Sequence, residues 1–298
     1  MKRAIGIDIG GTKIAAGIIS DTGGLLERAE VKSDPSDREN MFARVAEAVE
    51  QVLEKSDLSM DDMEGIGVGV PGKVDQEKGI AVFQNNLPWQ QFPITASLEE
   101  RFGTKLITID NDVYMAAFAE WKAAQVKNDE TFVYVTVSTG ISCSVIHKGS
   151  FFRGAGFAGE LGLIPVLSHG ANERLEKVAS GPGIQELAQK SLKLGAISTK
   201  KVFASYLKGK QEFGPVIDEV ANTLAQGLYA ISSILDPHKL VFGGSVIVNN
   251  PFLLELVKEK LKVYQLPEQQ HLLGQMSIST LKQDNGIIGA GWRVFERL

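Results

Sequence analysis

Asp8, Gly10, Gly11 and Thr12 stand in a turn between two apolar runs, in a segment (residues 1–17) that reads MKRAIGIDIGGTKIAAG. An apolar strand rarely ends in a carboxylate beside bare backbone unless something charged comes close. Glycine lacks a β-carbon, so backbone N–H groups can face an anion directly. The acid in the same turn repels phosphate, and a cation between them reconciles the two. The chemistry this predicts is the grip of a Mg²⁺-bound nucleotide tail. A dinucleotide fingerprint needs G-x-G-x-x-G ahead of a helix. Here Asp8 takes the second glycine's place, and residues 14–19 read as strand. No G-x-x-x-x-G-K-[ST] loop is present. A plain hairpin turn, with glycines for geometry alone, is the competing reading of this segment in isolation.

Three more such loops follow predicted strands. Residues 104–110 (TKLITID) end in Asp110, Asn111 and Asp112, just before an alanine-rich stretch over 112–125. Tyr114, Ala117, Phe118 and Trp121 recur there at helical spacing, which puts Asp112 near a helix N-terminus and the aromatic residues in a core. Thr139 and Gly140 separate the strands 131–138 and 141–147. Gly243, Gly244 and Ser245 follow the strand that begins at Lys239. Ligands of open α/β sheets bind beyond the carboxyl ends of strands, which is where these loops fall. The strand–glycine turn–strand unit around Gly11 recurs around Gly140, and this predicts two similar lobes facing each other across a cleft.

The elements that must carry these loops are legible from periodicity. A turn at 21–24 leads to a strand at 25–31. A helix over 40–54 presents Phe42, Val45, Ala46, Val49 and Val52 on one face, and a strand runs over 65–71. The second half reads as helices over 175–192, 199–207 and 216–235, a strand at 239–244, and helices over 251–261 and 286–298. No low-complexity linker interrupts the chain.

With 298 residues, 44% hydrophobic and 22% charged, the composition is that of one large or two medium globular domains. A net charge of −5 gives no support to nucleic acid or an anionic membrane as partner. The single cysteine, Cys143, excludes an intrachain disulfide and a cysteine-rich zinc site, and fits a small core residue in a reducing compartment. No apolar run is long enough for a signal peptide or membrane span, so a cytoplasmic protein is expected.

In this order and spacing the motifs resemble the ROK family of sugar kinases and repressors, within the actin/hexokinase/Hsp70 superfamily. The resemblance runs from Ile5-Gly6-Ile7-Asp8-Ile9-Gly10-Gly11-Thr12-Lys13 to Asp284-Asn285-Gly286-Ile287-Ile288-Gly289-Ala290. It implies an α/β fold of two actin-like, ribonuclease H-like lobes, with mixed sheets flanked by helices. The expected lobes are 1–112, with the helix 286–298 packing back on it, and 113–285. By the resemblance, Asp8, Gly10, Gly11, Thr12 and Lys13 form a first phosphate loop, Asp8 holding Mg²⁺ through water. Thr139 and Gly140 form a second phosphate turn, although the family's glycine-rich run reads Ser-Thr-Gly-Ile-Ser-Cys here. Gly243, Gly244 and Ser245 lie on the adenosine side of ATP. Asn86, Asn111, Glu160 and Glu176 bind the sugar, and Asp112 is the general base. A homodimer is implied as well.

The chain departs from the family pattern at a zinc motif. Leu163 stands where many members carry a histidine, and the cysteine-rich run is replaced by Ser168-His169-Gly170-Ala171-Asn172-Glu173-Arg174. His169 and Glu173 are too few for a tetrahedral site, so no structural zinc is expected and His169 reads as a lone surface residue. Leu163 makes that end of the sugar pocket more apolar or more open. The expectation is ATP- and Mg²⁺-dependent transfer to the 6-hydroxyl of a hexose or N-acetylhexosamine. N-acetylmannosamine or glucose leads, with β-glucoside kinases as rivals. A non-catalytic sugar sensor or transcriptional regulator is disfavoured, because only residues 1–4 precede the first strand and both Asp8 and Asp112 are retained.

Overall fold

β1 (Arg3–Ile9) and β2 (Lys13–Ser20) pair antiparallel across the acid-glycine turn in the computed structural model, which describes residues 1–84 and 86–296. β3 (Leu25–Lys32) extends this meander on one side, and β4 (Ile66–Val70) joins β1 in parallel on the other. β5 (Lys73–Asp75), β6 (Ile80–Phe83) and β7 (Gln90–Phe92) form a separate small antiparallel sheet. β8 (Ile107–Asn111) then completes the large sheet in the order β3-β2-β1-β4-β8. β4 is buried at every residue, the near-continuous apolar run expected of a parallel strand covered on both faces.

Helices cover both sides of this sheet. α1 (Arg38–Ser56) starts where Asp37 accepts a hydrogen bond from the Asn40 N–H, and stops at Asp57 in the left-handed region. Its stripe of Met41, Val45, Ala48, Val49 and Val52 is buried, each larger side chain contributing roughly 1.5–3 kcal/mol. α2 (Ile94–Phe102) is short, and α3 (Asp112–Ala123) follows β8 directly. The C-terminal helix, Asn285–Phe295, packs against β1, β4 and α3. Its backbone comes so close that a β-carbon on Gly67 would stand 1.8 Å from the Ala290 carbonyl oxygen, and one on Gly289 1.8 Å from that of Met115. Of the helix expected over 286–298, residues 297 and 298 lie outside the described residues.

Two compact units result, Met1–Ala124 with Asp284–Leu298, and Gln125–Gln283. The first unit runs past residue 112 because α3 lies against the C-terminal helix and stays with it. Phe118 meets Trp292 edge-on there, with ring centres 6.2 Å apart.

The second unit repeats the topology of the first. β9 (Thr131–Val137) and β10 (Ile141–His147) are antiparallel neighbours, with β11 (Ser150–Phe151) on the outer edge. β12 (Pro165–Ser168) and β13 (Ala171–Arg174) make a hairpin outside the sheet. Leu175–Ala179 (α4) and Gly181–Leu192 (α5) are two helices where one was expected over 175–192. The break has a local cause: Pro182 cannot continue a helix, whereas it suits a first turn, and the Ser180 hydroxyl caps α5 by accepting from the Gly183 N–H at 3.2 Å. α6 (Thr199–Leu207) and the buried α7 (Gly214–Leu235) precede β14 (Lys239–Gly243). α8 (Ser245–Val248), α9 (Phe252–Tyr264) and β15 (Met276–Ile278) close the unit, whose sheet order is β11-β10-β9-β14-β15. In each unit two antiparallel pairings are followed by two parallel ones, as the repeated glycine turn predicted. No described helix is long and apolar enough to cross a membrane.

Candidate active-site residues in the two units

In the first unit β1, β4 and β8 run in parallel, and Asp8, Gly69 and Asp110 are level across them. Asn111 and Asp112 therefore emerge at the carboxyl end of the sheet, on the same edge as Asp8. Gly69 leaves the space between: a β-carbon there would touch the Asp112 Cα at 3.4 Å. Asn111, not Asp112, is the cap of α3, its Oδ1 accepting from the Val113 N–H at 2.9 Å. Asn111 Nδ2 donates to the Gly72 carbonyl at 3.0 Å, so the side-chain amide is fixed from both ends, and the Asn111 backbone N–H donates to Asp110 Oδ1 at 2.8 Å. Asp112 is the first helical residue, and its Oδ1 also accepts from the Val113 N–H, at 3.0 Å.

Asp8 is half-buried, and packing around its carboxyl pushes its pKa up to about 7, with the charge of Asp112 adding to the effect and Lys13 and Arg28 opposing it. The charges of Lys13 and Arg28 do not offset its burial. Mg²⁺ characteristically takes one or two carboxylates together with water and phosphate oxygens. The donor set here fits that pattern. Among the described residues, no group of three or more His, Cys, Asp and Glu side chains is placed to hold a metal ion.

The turn after Asp8 is shaped from within. The Gly10 N–H donates to the Lys13 carbonyl at 3.0 Å, and the Gly10 carbonyl accepts from the Ser33 hydroxyl at 2.6 Å. The Ser33 N–H in turn donates to the Thr12 carbonyl at 3.0 Å. Gly11 lies against Asn86, so that a β-carbon at 11 would stand 3.0 Å from the Asn86 Cβ. The predicted phosphate turn and the predicted sugar contact Asn86 therefore meet. Lys13 is engaged on the outer side, donating to Glu30 at 2.9 Å. Glu30 also pairs with Arg28, whose Nε donates to Asp284 at 2.9 Å.

In the second unit the Ser138–Gly140 turn is closed by the Ser138 N–H donating to the Gly140 carbonyl at 2.9 Å. The Gly181 N–H donates to the Ser138 carbonyl at 2.7 Å, tying the turn to the start of α5. β9 and β14 are parallel, with Gly243 level with Thr136, so the turns that follow them are neighbours. Ser138 Oγ and Ser245 Oγ are 3.4 Å apart, and Gly244, at φ 82°, lies flat on the Val137 backbone. Thr139, Gly140, Gly243, Gly244 and Ser245 are thus brought together.

Glu176 sits in the first turn of α4, facing Gly140 and Gly162; a β-carbon on Gly162 would be 3.2 Å from Glu176 Oε2. Burial raises the pKa of Glu160 above the usual carboxylate range, and the charge of Glu176 raises it further. Cys143 is buried, its thiol pushed up to about 12 by desolvation and by Glu160. Leu163 is exposed in a single 3-10 turn, Leu161–Leu163. His169 and Gly170, both at positive φ (47° and 81°), form the two-residue turn of the β12–β13 hairpin. Sequence reasoning did not single out Gly286 as a site residue, although it lies against the Asp8 carboxyl. Its signal is a glycine in the first turn of a predicted helix, within the stretch 284–290 that carries the resemblance.

Two sheets of one topology, with acids and glycine turns at the carboxyl ends of their parallel strands, define an actin-like α/β fold built for phosphoryl transfer. The chain belongs to the ROK family, whose model, described as "ROK family", matches residues 4–296. It is a sugar kinase of that family. A glucokinase of Halalkalibacterium halodurans is 30% identical, with 97% of this chain and 94% of that one covered. An N-acetylmannosamine kinase of Escherichia coli is also 30% identical, with 96% of each chain covered. A xylose repressor of Caldicellulosiruptor bescii is 25% identical, with 96% of this chain and 76% of the repressor covered. Among solved structures, a ROK hexokinase from Thermus thermophilus matches with a TM-score of 0.83 at 29% identity, over 99% of this chain and 98% of that one. A ROK glucokinase from Streptomyces griseus, in complex with glucose and AMPPNP, matches with a TM-score of 0.78 at 25% identity over 97% of each chain.

Proposed function

We propose that this protein transfers the γ-phosphoryl group of ATP to the 6-hydroxyl of a hexose or N-acetylhexosamine, glucose and N-acetylmannosamine being the leading substrates. The observation that carries the reading is the pair of acids on one sheet edge: Asp8, whose pKa burial and Asp112 push up to about 7, and Asp112 itself. Such a pair is an electrostatic cost unless a cation joins it and a substrate proton needs a base.

In this reading Asp112 accepts the proton of the sugar hydroxyl as the new O–P bond forms, a contribution of about 10²–10⁴ in rate for a positioned base. Its place in the first turn of α3 favours the anion it must be at the start. Asn111, fixed by its two backbone partners, orients the sugar beside it. Glu160 and Glu176 accept from sugar hydroxyls. A site of this kind rejects analogues lacking a hydroxyl, because each unmade buried hydrogen bond costs roughly 1–3 kcal/mol. Gly10, Gly11, Thr12 and Lys13 hold phosphate oxygens in the first unit, and Thr139 and Gly140 in the second, with Gly243, Gly244 and Ser245 on the nucleoside side. Asp8 holds Mg²⁺, through water, and the ion when bound neutralises the charge of the transferring phosphoryl group. A cytoplasmic homodimer completes the reading, the dimer resting on family resemblance alone.

The test is an ADP-coupled assay over glucose, mannose, fructose, N-acetylglucosamine, N-acetylmannosamine and cellobiose. Turnover on one or more supports the assignment and names the sugar. Sugar binding without ADP release on any of them would move the protein to the sensor class represented by the xylose repressor.

A further inference from the structure

The segment between Glu160 and Glu176 is a hairpin with little of its own to hold it. β12 and β13 have four residues each, and every residue of β13 is exposed. A lone two-stranded hairpin of this length is marginal in water. Yet both glutamates hang from its base: Glu160 leads into the 3-10 turn before β12, and Glu176 lies in the first turn of the helix that follows β13. The Leu175 N–H donates to the Ile164 carbonyl at 3.0 Å, closing the base just beyond the Pro165–Arg174 pair.

One face of α7 receives this hairpin at three levels. At the base, Gly227 lies against Leu175, Ile164 and Leu161; a β-carbon there would stand 2.7 Å from the Leu175 side chain. One residue away, the Gln226 amide engages both backbone groups of a single residue: Oε1 accepts from the Leu167 N–H at 2.8 Å and Nε2 donates to the Leu167 carbonyl at 2.9 Å. A carboxamide used this way imitates the peptide of a neighbouring strand and satisfies the free edge of β12. Two helical turns back, Glu219 accepts weakly from the His169 N–H, at 3.3 Å. Val166 and Ser168 turn inward from the same strand and are buried.

We propose that Gln226 is a positioning residue for sugar recognition: its amide clamps the hairpin onto α7 and so holds Glu160 and Glu176 in place. The proposal rests on the reading of those two glutamates as sugar-binding. A packing residue alone would not need both an acceptor and a donor at position 226, and this difference makes the role testable. Gln226→Met keeps length and volume but removes both hydrogen bonds. Gln226→Glu keeps the acceptor and, when ionised, sets a carboxylate oxygen against the Leu167 carbonyl; protonation restores the donor.

The experiment uses the full chain and the sugar giving the highest kcat/KM. Hydrogen exchange at the Leu167 amide reads the clamp, and sugar KM, ATP KM and kcat read its effect. In Gln226→Met, exchange at Leu167 is expected to accelerate and sugar KM to rise roughly tenfold, with ATP KM within twofold of wild type. In Gln226→Glu, sugar KM is expected to rise at pH 8, where the side chain is ionised, relative to wild type at the same pH. Unchanged exchange at Leu167 in Gln226→Met, or faster exchange with sugar KM unmoved, overturns the proposal. Glu160→Gln and Glu176→Gln test the underlying assignment separately: if neither moves sugar KM, it is the sugar-binding reading that fails, whatever Leu167 exchange reports about the clamp.

Discussion

Gly286, in the first turn of the C-terminal helix, lies against the carboxyl of Asp8 so closely that a β-carbon at position 286 would stand 2.7 Å from both Asp8 Cγ and Oδ2. The two residues are at opposite ends of the chain. The relationship ties the last helix to the acid proposed to hold Mg²⁺.

Gly286→Ala sets helix propensity against the site. Alanine is favoured over glycine by up to about 1 kcal/mol in a helix interior and by less in a first turn. The crowded atoms are the free end of the Asp8 side chain, so the carboxyl is what moves. We expect an unchanged or slightly raised melting temperature, with a Mg²⁺ requirement shifted to roughly tenfold higher concentration. Mn²⁺ titration followed by electron paramagnetic resonance, alongside kinetics, checks this; wild-type metal affinity would contradict the close-contact argument.

Asp8 also gives a pH signature. Its folded pKa, about 7, lies above the ordinary 3.8, so between those values the folded protein binds more protons than the unfolded chain. Stability is therefore highest below about pH 4 as far as this group is concerned, declines as pH rises towards 7, and levels off above it. Asp8→Asn removes the decline. Thermal melts of the metal-free protein from pH 5 to 8 are expected to show the mutant gaining on wild type as pH rises. Parallel curves would mean that Asp8 is not destabilised by its surroundings.

Asp112→Asn keeps an oxygen to accept from the Val113 N–H but removes the proposed base. A kcat loss of about 10²–10⁴ is expected, with sugar affinity by calorimetry within a few-fold of wild type. Turnover near the wild-type rate would remove Asp112 from the mechanism.

Cys143 is expected to be inert. Its thiol is pushed up to about 12 by burial and by Glu160, and the thiolate is the reactive form. A thiol reagent at pH 8 should label the native protein at a small fraction of the rate seen in denaturant. Rapid native labelling would show that the strand β10 opens readily.

Much of the molecule was legible in the chain because its signals are local. Alternation and apolar runs marked the strands around the glycine turns, and the fall of Asp8 and Asp112 at strand ends follows from counting along each strand. The repeat of one turn in each half announced the repeated sheet. Where the reading slipped, the competing signal was sometimes local as well: Ser180-Gly181-Pro182 is a stop-and-start for a helix, and it divides the stretch read as one. The β12–β13 hairpin was missed because its strands are short and mostly exposed, without the apolar alternation that marks a half-buried strand.

The sequence by itself determined the fold class, the family and the residue types at the ends of the parallel strands, because these depend on neighbours a few positions apart. The tertiary structure alone decided which of those residues meet. Gly286 reaches Asp8 only once the C-terminal helix has packed on β1, and Gln226 finds Leu167 only once α7 has packed under the hairpin 59 residues earlier. Glutamine in a helix and glycine in a helical first turn carry no periodicity of their own. Their roles come from the packing of distant segments, which no local pattern records.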